Sequence, residues 1–267
     1  MPLDFLGFML QYGNIVVKLS QLLNKKFLKR EDFQRPIGQA IENIIRLHNM
    51  GMYEQRDYEI ARLKMLVKHL EEVKQQNENM FKIFQTRINK SDTDYLGFRF
   101  ELATAASLIR KGINFEKTES PDFTINWKGH KIGIECVNVH IEKPTSKNLI
   151  HKIKKAIKRK AGKTYSIVTS KILLFIDVTN IYFHGLLRGE LFDEKELKER
   201  IGRILNLTNF GGILLFVFVL NKTLSRFELN YFRIDKPKID PLLKDFLDYC
   251  YPCGSHDVYD FALPQKG

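Results

Sequence analysis

Residues Ser120 to Val139 read SPDFTINWKGHKIGIECVNV, and the Lys128-Gly129 pair at their centre divides two runs of strand character. A two-residue turn at that point pairs Trp127 with His130. In an antiparallel hairpin of that register paired numbers sum to 257, so Asp122 falls opposite Glu135 and both carboxylates point to one face. Ile132, Ile134 and Cys136, with Phe123 and Ile125 across the strand, take the other face and are expected to pack on a helix. Like charges placed directly opposite destabilise a hairpin. A divalent cation such as magnesium removes that repulsion and makes the pair a ligand set. A register shifted by one residue would instead separate the two acids onto opposite faces.

Outward from the hairpin, the preceding segment Tyr95 to Arg110 reads as a helix rich in small apolar residues that stops at Gly112. It carries Glu101, a carboxylate that must reach solvent or meet a partner, and a metal site shared with the hairpin would supply one. After Gly112 the expected elements are strands at 113–117, 122–127 and 130–141, a helix at 147–161, a strand at 171–179, a helix at 194–207, and strands at 212–220 and 227–234. This order predicts an α/β fold with a mixed β-sheet flanked by helices. Residues 1–90 are helical in pattern, with segments at 15–28, 36–50 and 52–88, and in the last of these Ile60, Leu63, Val67, Leu70 and Val73 form an apolar stripe. The expected division is therefore an N-terminal helical region over 1–90, a bundle or a dimerisation or DNA-binding module, and an α/β domain over 91–267. Residues 241–267 show a short helical pattern and then an irregular tail.

The helix Glu, the Pro121-Asp122 pair opening a strand, and the apolar strand Ile132-Gly133-Ile134-Glu135 resemble, in order, the elements of the PD-(D/E)xK nuclease superfamily, over about residues 95 to 180. The resemblance implies a restriction-endonuclease-like sheet, Asp122 and Glu135 as ligands of Mg2+ or Mn2+, and Glu101 as an auxiliary ligand. It also implies hydrolysis of phosphodiester bonds, in DNA ahead of RNA, in the setting of a restriction or defence endonuclease. One position departs from the pattern. Where the family has a lysine two residues after the strand acid, this chain has Val137. Some members are similar in having moved that lysine to a neighbouring element, and of the lysines in the next helix Lys152 is the expected replacement. A chain without a replacement would be a catalytically inactive nucleic-acid-binding or interaction protein on the same fold.

That next helix belongs to a run of seven Lys and one Arg in 17 residues, with no acid among them. Leu149, Ile150, Ile153, Ala156, Ile157 and Ala161 recur at helical spacing, so one stripe can dock while Lys147, Lys152, Lys154, Lys155, Lys158, Arg159, Lys160 and Lys163 form a basic ridge. Such a ridge grips a phosphate backbone without regard to sequence. The whole chain has 43 Lys and Arg against 31 Asp and Glu, a formal charge of +12, which favours polyanionic partners.

With 44% hydrophobic and 28% charged residues the 267-residue chain has the balance of a soluble globular protein. No apolar run spans a bilayer, no secretory leader is evident, and three cysteines do not make a disulfide framework, so a cytoplasmic protein with no membrane partner is expected. Cys250 and Cys253 followed by His256 lack the second ligand pair of a structural zinc site, and packing is the simpler role. Cys136 reads as a small buried strand residue. Phe216, Phe218, Tyr231 and Phe232 read as sheet core. The N-terminal helices are a candidate homodimer surface.

Overall fold

The computed structural model describes residues 5–27, 30–90, 95–141, 149–187, 194–221, 226–253 and 257–259. The chain divides into two compact units, one running through Arg110 and the other from Lys111.

The first unit contains α1 (Phe5–Leu23), α2 (Pro36–Asn49), α3 (Tyr53–Gln76), α4 (Glu78–Lys90) and α5 (Tyr95–Arg110). Pro36 opens α2, where its missing N–H costs nothing. The expected stripe on α3 is in place: Ile60, Leu63, Val67, Leu70 and Val73 are all buried. The single long helix expected over 52–88 is in fact two. Asn77 takes an extended conformation, and its side-chain Oδ1 accepts from the Met80 N–H at 2.9 Å, capping α4. Helix α5 packs on α3 and α4, with Phe98 edge-on to Phe84. The boundary thus falls after Arg110, and α5 is grouped with the helices of 1–90 rather than with the α/β part.

The second unit is built on β1 (Phe115–Lys117), β2 (Phe123–Trp127), β3 (His130–Asn138), β4 (Ile172–Asp177), β5 (Gly212–Asn221), β6 (Arg226–Asp235) and β7 (Asp257–Tyr259), with α6 (Leu149–Ala161), α7 (Thr179–Leu187), α8 (Glu194–Asn206) and α9 (Pro241–Cys250). The strands form one sheet in the order β1-β2-β3-β4-β5-β6-β7. β1, β2 and β3 are an antiparallel meander, β3, β4 and β5 run parallel, and β6 and β7 return antiparallel. The sheet is therefore mixed, as expected. The parallel pairs need crossovers, which α6 supplies between β3 and β4, and α7 with α8 between β4 and β5. α7 and β7 were not anticipated.

One face carries Val137, Ile172, Leu174, Ile176, Ile213 and Leu215 against Ile153, Ala156 and Ile157 of α6 and Ile201, Ile204 and Leu205 of α8. On the other face Phe175 and Phe216 meet Tyr251 edge-on, and Leu243, Phe246 and Leu247 of α9 are buried. Asp240 caps that helix by accepting from the N–H groups of Leu242 and Leu243. Phe216, Phe218 and Tyr231 are buried, as sheet core should be. Among the described residues no helix is long and apolar enough to cross a membrane.

Candidate metal and phosphate site

The hairpin has the predicted register. Trp127 pairs with His130, and the ladder runs back to Phe123 opposite Ile134. Asp122 is the residue just before β2, and its side chain completes the approach to β3: Oδ2 accepts from the Cys136 N–H at 2.7 Å. Lys117 Nζ lies 3.4 Å from Asp122 Oδ1 and donates to the Asp122 carbonyl at 3.0 Å. Asp122 is thereby fixed beside the residue that follows Glu135.

Glu135 is wholly buried on the face that α6 covers. A buried carboxylate is tolerated only with counter-charges or hydrogen bonds. Its Oε1 receives two ammonium groups, Lys160 Nζ at 2.5 Å and Lys163 Nζ at 2.9 Å. Its Oε2 is buried with no hydrogen-bond partner. One oxygen is served twice and the other not at all.

Local geometry explains how the ammoniums arrive. Lys160 follows Ile153 by seven residues and Ile157 by three, so it falls on the apolar stripe of α6 rather than on the solvent face. Just beyond the helix the chain is stitched to the residue before Pro121. Ser166 donates to the Ser120 carbonyl from both N–H (3.1 Å) and Oγ (2.9 Å), and Ser120 Oγ donates to the Thr164 carbonyl at 2.9 Å. Gly133, two residues before Glu135 on the same face, permits this closure. A Cβ there would stand 2.6 Å from Ile167 Cδ1 and 2.7 Å from Pro121 Cγ, closer than atoms tolerate. Tyr165 OH donates to the Lys160 carbonyl at 2.8 Å, holding the end of α6 over the site.

The electrostatics follow from this placement. Burial, reinforced by the charges of Glu135 and Asp122, raises the Tyr165 phenol well above its ordinary value and keeps it a donor. Burial acts to lower the Lys163 ammonium, but the hydrogen bond and charge of Glu135, with smaller help from Lys160 and Asp122, leave it raised. Both carboxylates therefore act on the same two side chains.

Several sequence expectations are corrected. The lysine brought to the acid is Lys160, joined by Lys163, and not Lys152, which stands exposed on α6 about 12 Å of helix rise from Lys160. Position 137 is part of the apolar layer under α6, where Val137 is buried. Glu101, expected as an auxiliary ligand, is bonded to an arginine of the helical unit: Arg87 NH1 donates to its Oε2 and Arg87 NH2 to its Oε1. Among the described residues no group of three or more His, Cys, Asp or Glu side chains is placed to share a metal ion. Of the expected acids, Asp122 and Glu135 are brought to one place, where both act on Lys163 and Tyr165.

The outward face of α6 is as expected. Lys152, Lys155, Lys158 and Arg159 are exposed and Lys154 is half-buried, while Ile153, Ala156 and Ile157 are buried. Lys147 lies outside the described residues, as does His256; Cys250 is buried and Cys253 exposed.

The signal for Lys160 was present as the one amine centred on an apolar stripe. The part played by Lys163, Tyr165 and the Ser120 stitches depends on the fold returning residues 163–166 to the start of β2, which no local pattern announces. No family model, no curated protein and no solved structure matches this chain.

Proposed function

We propose that the α/β unit is a metal-dependent nuclease that hydrolyses phosphodiester bonds in DNA, on a restriction-endonuclease-like sheet, in the manner of a restriction or defence endonuclease. The observation that carries this is Glu135. It is a wholly buried acid with one oxygen held by two lysines and the other, Oε2, without a donor, beside a second fixed acid. A buried carboxylate oxygen left unserved costs free energy, and a hard cation is the partner that oxygen chemistry favours.

The residues fit Mg2+ or Mn2+: Glu135 Oε2 and the Asp122 carboxylate would be the protein ligands, with water and phosphate oxygens completing the shell. When bound, the metal supplies an acidified water and neutralises charge on the phosphate. Lys160 orients Glu135 through its hydrogen bond to Oε1 and takes the place of the lysine missing at Val137. Lys152, Lys155, Lys158 and Arg159 hold the phosphate backbone leading to the site.

A second reading, binding of nucleic acid without turnover, is favoured by the fact that two ammoniums already meet the charge of Glu135. One experiment separates the two. A mixed DNA and RNA panel is incubated with Mg2+, Mn2+ or EDTA, using wild type and Asp122→Ala, with circular dichroism to establish that the variant folds. The nuclease reading expects cleavage with metal, none in EDTA, and a loss on the order of 1000-fold in the variant. Salt-dependent binding with no cleavage of any substrate would leave the second reading. Cleavage that survives both EDTA and Asp122→Ala would refute the proposed site.

A further inference from the structure

Lys160 and Lys163 converge on one carboxylate oxygen, but they differ in every other respect. The Lys160 side chain is 12% exposed and comes from the docked stripe of α6. That of Lys163 is 43% exposed and comes from the segment beyond the helix. The backbone around Lys163 is held, since Thr164 and Ser166 are bonded to Ser120. Its ammonium, at the end of four methylenes, bonds Glu135 while much of the side chain meets solvent. Two like charges on a single oxygen repel each other, and an anion arriving from solvent relieves this by drawing off the more exposed one.

We infer, building on the nuclease reading, that Lys163 alternates between two partners: Glu135 Oε1 in the free protein and a substrate phosphate in the complex, while Lys160 stays on Glu135 in both. No bond is made or broken in this exchange. Lys163 is a phosphate-contacting residue of the substrate complex, and Lys160 a positioning residue. The resting contact between Lys163 and Glu135 keeps the buried acid neutralised until nucleic acid arrives.

The test compares Lys163→Met, Lys163→Arg and Lys160→Met in the full chain. A short duplex DNA serves as probe, in metal-free binding across a salt series and in steady-state cleavage with Mg2+. Lys163→Met is expected to raise KM about 10-fold with a smaller change in kcat, and to lower the slope of log K against log salt by about 0.9, the loss of one phosphate contact. Lys163→Arg should restore both. Lys160→Met should lower kcat about 100-fold with the salt slope unchanged. The exchange is overturned if Lys163→Met keeps the wild-type salt slope, or if Lys163→Met and Lys160→Met lose kcat equally with KM unmoved. If wild type does not cleave at all, the nuclease reading fails while the binding slope still decides the role of Lys163.

Discussion

Glu101 in the helical unit and Glu135 in the α/β unit are both carboxylates held among apolar neighbours, yet they are satisfied in opposite ways. Glu101 is closed: one guanidinium, that of Arg87, donates to both oxygens, and the same guanidinium stacks on Phe98. A planar fork matched to a carboxylate serves both of its oxygens at once. Glu135 is open, with two point-charge ammoniums on Oε1 and Oε2 unserved. A bidentate arginine suits an acid whose work is to hold helices together. Paired lysines on one oxygen suit an acid that has another oxygen to offer.

The sharpest way to break this comparison is to ask which acid responds to metal. On the proposed metal site, Mg2+ or Mn2+ should raise the melting temperature of the wild-type chain, and Glu135→Gln should abolish that rise. That rise corresponds to about 2.7 kcal/mol at a metal concentration 100 times Kd. Glu101→Gln should keep it. A thermal melt of each variant with and without metal reads the outcome directly, and equal metal responses in the two variants would erase the distinction between open and closed acids.

A smaller effect is expected from the closed site. Arg87→Met leaves the Glu101 side chain, 8% exposed, without its bidentate partner. Breaking a fully buried pair costs about 3–5 kcal/mol, and because the arginine is itself a third exposed, a loss of about 2 kcal/mol is expected here. Urea unfolding measures it. Metal-dependent stabilisation should survive intact, and its disappearance would mean that Glu101 does more than pair.

The difference between the two acids explains what the sequence could and could not reveal. The turn at Lys128-Gly129 and the alternation of β2 and β3 carry the register, and Gly129 has the positive φ that the turn needs. The side on which Asp122 and Glu135 fall was therefore legible. The basic run shows that amines lie near, and helical phase separates Lys160, on the apolar stripe, from Lys152, off it. The pairing of Glu101 with Arg87 was not legible, because Arg87 lies 14 residues away in a different helix. Nothing in the local pattern around either residue specifies that two helices will bring them together. The contact of Lys163 with Glu135 and the place of Tyr165 were illegible for the same reason, since the hydrogen bonds of Ser120 to Thr164 and Ser166 span more than 40 residues.

The smallest expected effect concerns protons, and it belongs to the helical unit. His69 on α3 is buried, and its imidazole is held well below the ordinary histidine value by burial first and then by the charges of Arg110, Arg99 and Lys68. The folded unit therefore keeps His69 neutral while the unfolded chain takes up a proton below about pH 6.5. Stability from this group is complete above that pH and falls as pH drops through the unfolded value, by at most about 1.4 kcal/mol per pH unit. Lys163 acts at the other end of the scale: its raised value makes a contribution that is present below about pH 10.4 and lost as pH climbs past it. Denaturation of wild type and His69→Gln between pH 7 and pH 5 should show a slope in the first and a flatter line in the second. Parallel lines would mean that acid weakens the chain through its carboxylates, and that the cations around His69 have another counter-charge.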